Sequence, residues 1–532
     1  MEDEITITRD WKSNMREDKI ERIVKSGIGV LASLFLLFLL GNRLGYSYRF
    51  PREYYEIATR TKVPVYQQLL FLLFTTLVLL GVAYCYSRIP KKERFNQLLL
   101  IIMTILLAIT SILWVFDGTV FQPGGDPQYI CESAKNILNG QYDSLMKGGY
   151  LERYPYQKGI TFLIECIFFI FKNNGYTVLY LLNALSIPAI YVTGYQIQKR
   201  CTGEFGVFLY LVLLPLCFPL IFYSCFIYGE CMSILFTLLT ILSVLNWREH
   251  WSFRFVGGIS AFLALVFRTN SVIVFIAIFL LASIESIKKR TWKLLFFSLY
   301  LFVIAFAGKM CLELQYEIRT GIEAEDGMPV EGWLLMGIQE GVRGNGWYND
   351  VSVEVYDKNA CDSKAAAEEF RMLLSERLLE MKESPRYTFE FFKKKVLSQW
   401  NEATLESLLV INSSADTNTF TKPKQKLLFY EWYSPFINFM ENYQLVIYIG
   451  ALSFALFMLK KREQKNLFIY IPILTFIGGF IFQTIWEAKS RYILYYYVLL
   501  ILCSTAGMEE MVQWGKTIIK RRRKEDVTEV AE

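Results

Sequence analysis

Apolar runs alternate with short polar links along almost the whole chain. The runs cover about 27–44, 65–86, 97–116, 175–196, 205–224, a stretch opening at Glu230, a pair within 255–284, then 294–308, 443–459, 467–485 and 493–511. Most run to about 18–22 residues, enough for a helix to cross a hydrocarbon core of roughly 30 Å. The alternating ten-residue segments of a membrane β-barrel are absent. The pattern predicts an all-α polytopic membrane protein of about twelve transmembrane helices. The apolar piece 159–171 is too short to span comfortably and reads as a helix lying at the membrane surface.

That choice fixes the topology. With 159–171 not crossing, Lys199 and Arg200, Arg248 and Arg254, Lys288 to Lys293, Lys460 to Lys465 and the terminal KTIIKRRRKED all fall on one side. So does the N-terminal segment with Arg9, Lys12, Arg16, Lys19, Arg22 and Lys25. Basic links mark the cytoplasmic side, so both termini are expected there, in a multi-pass plasma-membrane protein with an uncleaved first span. Arg43, Arg49, Arg52, Arg60 and Lys62 oppose this, because they fall in an external link. The expected organisation is a cytoplasmic tail (1–26), a transmembrane hairpin (27–96), a core with a long external loop (97–308, loop 117–174), an external α-rich domain (309–440), C-terminal spans (441–511) and a basic cytoplasmic tail (512–532).

Composition narrows the chemistry. The 532 residues are 54% hydrophobic, with mean hydropathy +0.30 and net charge +6. The positive residues report topology and do not suggest nucleic-acid binding. Ten cysteines show no CxxC or zinc-like spacing. The single histidine, His250, sits in a link, which excludes histidine-based catalysis and histidine-rich metal sites.

The polar, Gly- and Tyr-rich stretch 117–158 is where chemistry concentrates. Asp126 sits in a Gly-Gly-Asp-Pro turn ahead of a helix-like segment, where it reads as an N-cap residue. It is either a turn residue or a fixed general base for an acceptor hydroxyl. Arg153, Tyr154, Tyr156, Gln157 and Lys158 form a cationic-aromatic cluster just before 159–171. Glu230 is either a first-turn acid favoured by the helix dipole or a site residue. Arg268 interrupts apolar sequence and is either a snorkelling residue or a lipid-phosphate contact. WEAKSRY before the last span supplies Glu487, Arg491 and Tyr492. The Gly- and Trp-rich EGWLLMGIQEGVRGNGWYND reads as loop packing or as a wall that stacks on a sugar. Its VRGNGWYN is not a phosphate loop.

GGDPQYICESAKNILNGQYD, followed by RYPYQKG and a short apolar helix, resembles the first external loop of GT-C glycosyltransferases, nearest the protein O-mannosyltransferase and lipid A aminoarabinose transferase group. The resemblance implies transfer of a hexose or pentose from a polyprenyl-phosphate donor to an acceptor hydroxyl. In that plan Asp126 is the base and Glu230 the second acidic residue. Glu487, Arg491 and Tyr492 match the late E-x-x-x-R-Y element. Arg153, Lys158, Arg268 and Arg491 are the expected phosphate contacts, with Tyr154, Tyr156 and Gln157 lining the substrate. No cofactor is required; the alternative is a divalent metal shared by Asp126 and Glu230. The acceptor is left open among a cell-wall polymer, a glycolipid and a protein. The first hairpin and the 309–440 segment depart from the simplest family plan. A lipid-linked glycan flippase and a polysaccharide polymerase or ligase are the competing readings.

Overall fold

The computed structural model describes residues 2–51, 56–117, 123–323, 325–413, 420–460 and 467–529, with the side chains of 2–20, 412–413 and 520–529 left aside. The topology-marking side chains of Arg9, Lys12, Arg16, Lys19, Arg52, Lys461, Arg462, Lys465 and the tail from Lys520 therefore lie outside the described set.

The chain is an all-α polytopic membrane protein, and every expected span falls on a helix. Among the described residues nine helical segments are long and apolar enough to cross a membrane, and a bent pair, Glu204–Leu216 with Phe218–Cys225, makes a tenth. The 53° bend lies where Pro215 and Pro219 remove backbone donors. Glu230–Leu245 opens at the expected residue and Trp251–Phe267 begins a few residues before the expected 255; these two apolar helices have 16 and 17 residues and are bounded by Gly229 and Arg268, which leave helical geometry. Two small antiparallel hairpins, Tyr46–Arg49 with Thr59–Lys62 and Glu340–Gly341 with Gly344–Asn345, interrupt the helical plan.

The piece expected at the membrane surface forms the helix Lys158–Phe171. Lys172 then takes a positive φ of 47°, so this helix does not run on into Gly175–Cys201. It packs on Asp126–Leu138 and on Lys293–Thr320. The latter helix continues past its expected end near 308 and carries Tyr316 and Arg319 to Glu165, whose Oε2 accepts from the Tyr316 hydroxyl at 3.1 Å and from Arg319 Nη2 at 2.9 Å.

The last helix, Ile493–Glu529, is the centre of the bundle, with 94% of its apolar window buried. It packs most extensively on Tyr433–Lys460. Their closest approach is at Gly507, where a Cβ would stand 2.0 Å from the Gly450 carbonyl oxygen. Backbone cannot yield there as a side chain can, so Gly507→Ala is expected to lose about 1–3 kcal/mol by overpacking. Denaturation midpoints in detergent check this against Gly515→Ala, on the same helix, where nothing stands within 4 Å.

Part of the basic link that opposed the topology finds partners within the protein. Arg49 Nε donates to Glu441 Oε1 at 2.6 Å, Arg43 lies 3.6 Å from the same carboxylate, and Arg60 stacks on Tyr46. Within 309–440 only part, here the cap, builds a small core of its own, from Leu335, Val355, Tyr356, Ala366 and Phe370; residues 309–320 belong to the preceding helix, and Val396, Trp400, Leu408, Phe420 and Met440 pack into the main core. This cap docks through Lys395, which is fully buried and donates to the Gly337 and Trp486 carbonyls.

Candidate active site

The helix Asp126–Leu138 begins where Gly125 takes φ 65° and ψ −144°, a conformation that suits glycine. Gly125 is the N-cap and Asp126 the first helical residue, which corrects the expected N-cap role. Freed from capping, the Asp126 carboxylate turns to Arg491 and accepts from its Nη2 at 3.1 Å.

Arg491 arrives from the turn before the last helix. Residues 487–489 are extended, and Ala488 pairs its backbone with Trp347 and packs into a core with Phe50. Side chains alternate along such a segment, so Glu487 and Lys489 share the opposite side, and Arg491, in the 3-10 turn Ser490–Tyr492 that follows, lines the same cavity as they do.

That cavity has a volume of about 740 Å³ and lies between the loop 124–156, the first link, the cap and the 487–492 turn. Of the residues singled out in the sequence, Asp126, Arg153, Tyr154, Tyr156, Glu487, Arg491 and Tyr492 line it. A smaller cavity of about 280 Å³ adjoins it, sharing Tyr156, Tyr228, Trp333, Glu487 and Tyr492, and adds Gln157 and Arg268. Gln157 donates to the Tyr228 hydroxyl at 2.7 Å. Glu230 is buried behind this wall, 3.3 Å from Arg268, and with Arg491 and Tyr492 lines a crevice of about 10 Å³. Arg268 has an extended backbone and lies over the rings of Tyr228 and Tyr492. Lys158 lines neither cavity; it is buried with Glu152, Glu313 and Glu317 as its charged surroundings. Arg153 is ion-paired with Asp357 of the cap.

The sequence reading missed Glu56, Lys489, Arg343 and Glu406, all of which line the larger cavity. Lys489 stood inside the WEAKSRY element, and its two-residue spacing from Glu487 was the available signal. Glu56 accepts from Lys489 at 2.9 Å and from Arg343, so the first link and the cap are tied together here. Nothing local marked either, because the contact spans 287 residues.

Electrostatics separate the carboxyls. Burial alone would raise Asp126, but Arg491, Lys489 and Arg268 outweigh it and hold the group below its ordinary range. It is therefore a carboxylate at neutral pH. Glu56 behaves alike: burial is outweighed by Lys489 and Arg343. Burial raises Glu487 despite Lys489 and Arg491. Burial also pushes Tyr154 up to about 12, so its hydroxyl remains a donor.

An aromatic wall runs past these groups. Tyr129 stacks on Tyr150 at 5.2 Å, Tyr150 meets Tyr154 at 5.1 Å, Tyr154 meets Trp333 at 5.9 Å, and Trp333 stacks on Trp486 at 6.1 Å. Among the described residues no group of three or more His, Cys, Asp or Glu side chains is placed to hold a metal, and Asp126 and Glu230 each face an arginine.

No family model matches the sequence, and no curated protein matches it. Among solved structures the fold is similar to the archaeal oligosaccharyltransferase AglB from Archaeoglobus fulgidus, in complex with an inhibitory peptide and a dolichol-phosphate. That match has a TM-score of 0.37 and 14% identity, over 82% of this chain and 52% of that one. The apo Archaeoglobus fulgidus enzyme gives a TM-score of 0.38 at 14% identity, over 80% and 52%. This chain spans about half the length of those proteins.

Proposed function

We propose that this chain is a GT-C-type glycosyltransferase that moves a sugar from a polyprenyl-phosphate carrier to an acceptor hydroxyl at the external face of the plasma membrane. The observation that carries the reading is the Asp126–Arg491 pair at 3.1 Å in the large cavity. It joins the first long loop to the turn before the last helix and holds a base beside a cation. The acceptor oxygen attacks the anomeric carbon, the bond from that carbon to the phosphate oxygen breaks, and its electrons stay on the phosphate. The acceptor's proton passes to Asp126. A departing phosphate is already an anion and needs charge-assisted donors more than an acid. Arg491 and Lys489 serve it from the large cavity and Arg268 from the small one. Tyr154, Tyr156 and Trp333 give the sugar an apolar surface between the two. The cap within 309–440 is the external cover over this site, and its surface selects among polymer, glycolipid and protein acceptors.

The test is purified protein in liposomes with a radiolabelled polyprenyl-phosphate sugar. Label moving to an added acceptor, with release of prenyl phosphate, is the expected result. Label that only changes leaflets would make the protein a flippase.

A further inference from the structure

Of the four carboxyl groups lining the large cavity, the mechanism above uses Asp126; Glu56 is paired with Lys489 and Arg343, and Glu487 lies 3.9 Å from Lys489, which leaves Glu406. Glu406 lines that cavity, is 3% exposed, and makes no ion pair among the described residues. Its place is bought with backbone strain. Leu405 and Glu406 have φ of 51° and 59°, two successive non-glycine residues in the left-handed region. Such geometry is unfavourable for a residue that carries a Cβ and persists only where its surroundings over-determine it.

The surroundings do so. Glu402 accepts from the backbone N–H groups of Thr404 and Glu406, both at 2.8 Å, and from the Ser490 hydroxyl at 2.9 Å. The Tyr223 hydroxyl donates to the Leu405 carbonyl at 2.6 Å. The Ser490 N–H donates to Glu406 Oε1 at 3.3 Å. Adjacent residues of one turn thus hold two carboxyl groups of the same cavity: Ser490 holds Glu406 and Arg491 holds Asp126.

We propose that Glu406 is a donor-binding residue whose carboxyl O–H donates a hydrogen bond to an oxygen of the carrier lipid's phosphate; this rests on the glycosyltransferase reading. Glu406 keeps its proton throughout, so the transfer balances as written above. The charge arrangement favours such a group, because the cations that serve the phosphate are shared between it and carboxylates. Asp126 already occupies Arg491, Glu56 occupies Lys489 and Arg343, and Asp357 occupies Arg153. An ionised Glu406 would add uncompensated negative charge where a phosphate has to enter, whereas a neutral one supplies a donor.

The charged and titratable groups facing it are Glu56 from the first link, Lys489 and Arg491 from the late turn, Glu402 from its own turn, and Tyr223. Burial and then Glu56 raise Glu406, Lys489 and Arg491 pull it back, and the result is a carboxyl at about 8. It is therefore mostly protonated at pH 7 and loses its O–H as the pH rises through about 8.

Binding of a short-chain polyprenyl phosphate to the full-length protein in detergent, measured across pH 6 to 9.5, decides the matter. Wild-type affinity is expected to fall as pH rises through about 8. Glu406→Gln, a donor that does not titrate, is expected to bind about as well at pH 7 and to lack that fall. Glu406→Ala is expected to bind about tenfold to a hundredfold more weakly, the loss of one hydrogen bond to a charged group. The lipid phosphate's own titration is common to all three proteins and cancels in the comparison. A Gln variant with the wild-type alkaline fall, or one binding as weakly as the Ala variant, overturns the proposal for Glu406 alone. A wild type that binds no prenyl phosphate overturns it together with the donor class.

Discussion

Asp126→Asn is expected to lower kcat by about 10²- to 10⁴-fold, the range that general-base catalysis supplies. Asparagine keeps the shape and the helix start after Gly125 but cannot take a proton. The donor's affinity is expected to hold or improve, because Arg491 loses its carboxylate partner and gains freedom to meet the phosphate. The loss should therefore appear in kcat rather than in the donor KM, as for an interaction realised in the transition state. The pH dependence follows from the same pairing. A base works deprotonated, and Arg491, Lys489 and Arg268 hold Asp126 below its usual range. The acid limb of kcat/KM should lie below the ordinary aspartate value of about 3.9. Arg491→Gln should move that limb upward, since burial would then act on Asp126 with less opposition. Unchanged turnover in Asp126→Asn would remove Asp126 as the base; an acid limb unmoved by Arg491→Gln would show that the pair does not set its charge.

Much of this site was legible in the sequence because each half is carried by a local signal. Gly-Gly-Asp-Pro announces a turn with a carboxylate at a helix start, and WEAKSRY is a charged interruption between two apolar runs. Arg268 and Glu230 stand out because charge inside apolar sequence is costly, and their partnership at 3.3 Å answers that cost. Lys158 misled because adjacency was read as convergence: Arg153 faces the cavity, while Lys158, the first residue of its helix, is buried towards Glu152, Glu313 and Glu317. Glu56 and Arg343 were illegible, since each acquires its role from a contact with a distant segment. Glu406 carried no local mark either. NEATLES contains no glycine at the two positions that adopt left-handed geometry, so the turn is imposed by Glu402, Tyr223 and Ser490 rather than by local preference.

Arg268→Met is expected to destabilise the protein by about 3–5 kcal/mol, because it strands a buried carboxylate. Glu230 is 6% exposed, and among the described residues neither of its oxygens accepts a hydrogen bond, so Arg268 is its compensation. The reverse change, Glu230→Gln, should cost less: Arg268 keeps the faces of Tyr228 and Tyr492 at 4.9 and 5.6 Å. The double variant separates structure from chemistry. Removing both charges replaces a buried pair by neutral groups, which is often tolerated, so Glu230→Gln with Arg268→Met should recover most of the stability lost in Arg268→Met. It should not recover transfer, because the cation that reaches the small cavity is gone. Denaturation midpoints and turnover measured on the same four proteins, wild type included, give both answers. A double variant that regains full turnover would reduce Arg268 to a counter-ion for Glu230 and leave Lys489 and Arg491 as the cations that receive the phosphate. One that regains neither stability nor turnover would mean that the pair fixes the local fold, since the path of Arg268 between the two helices would then depend on its charge.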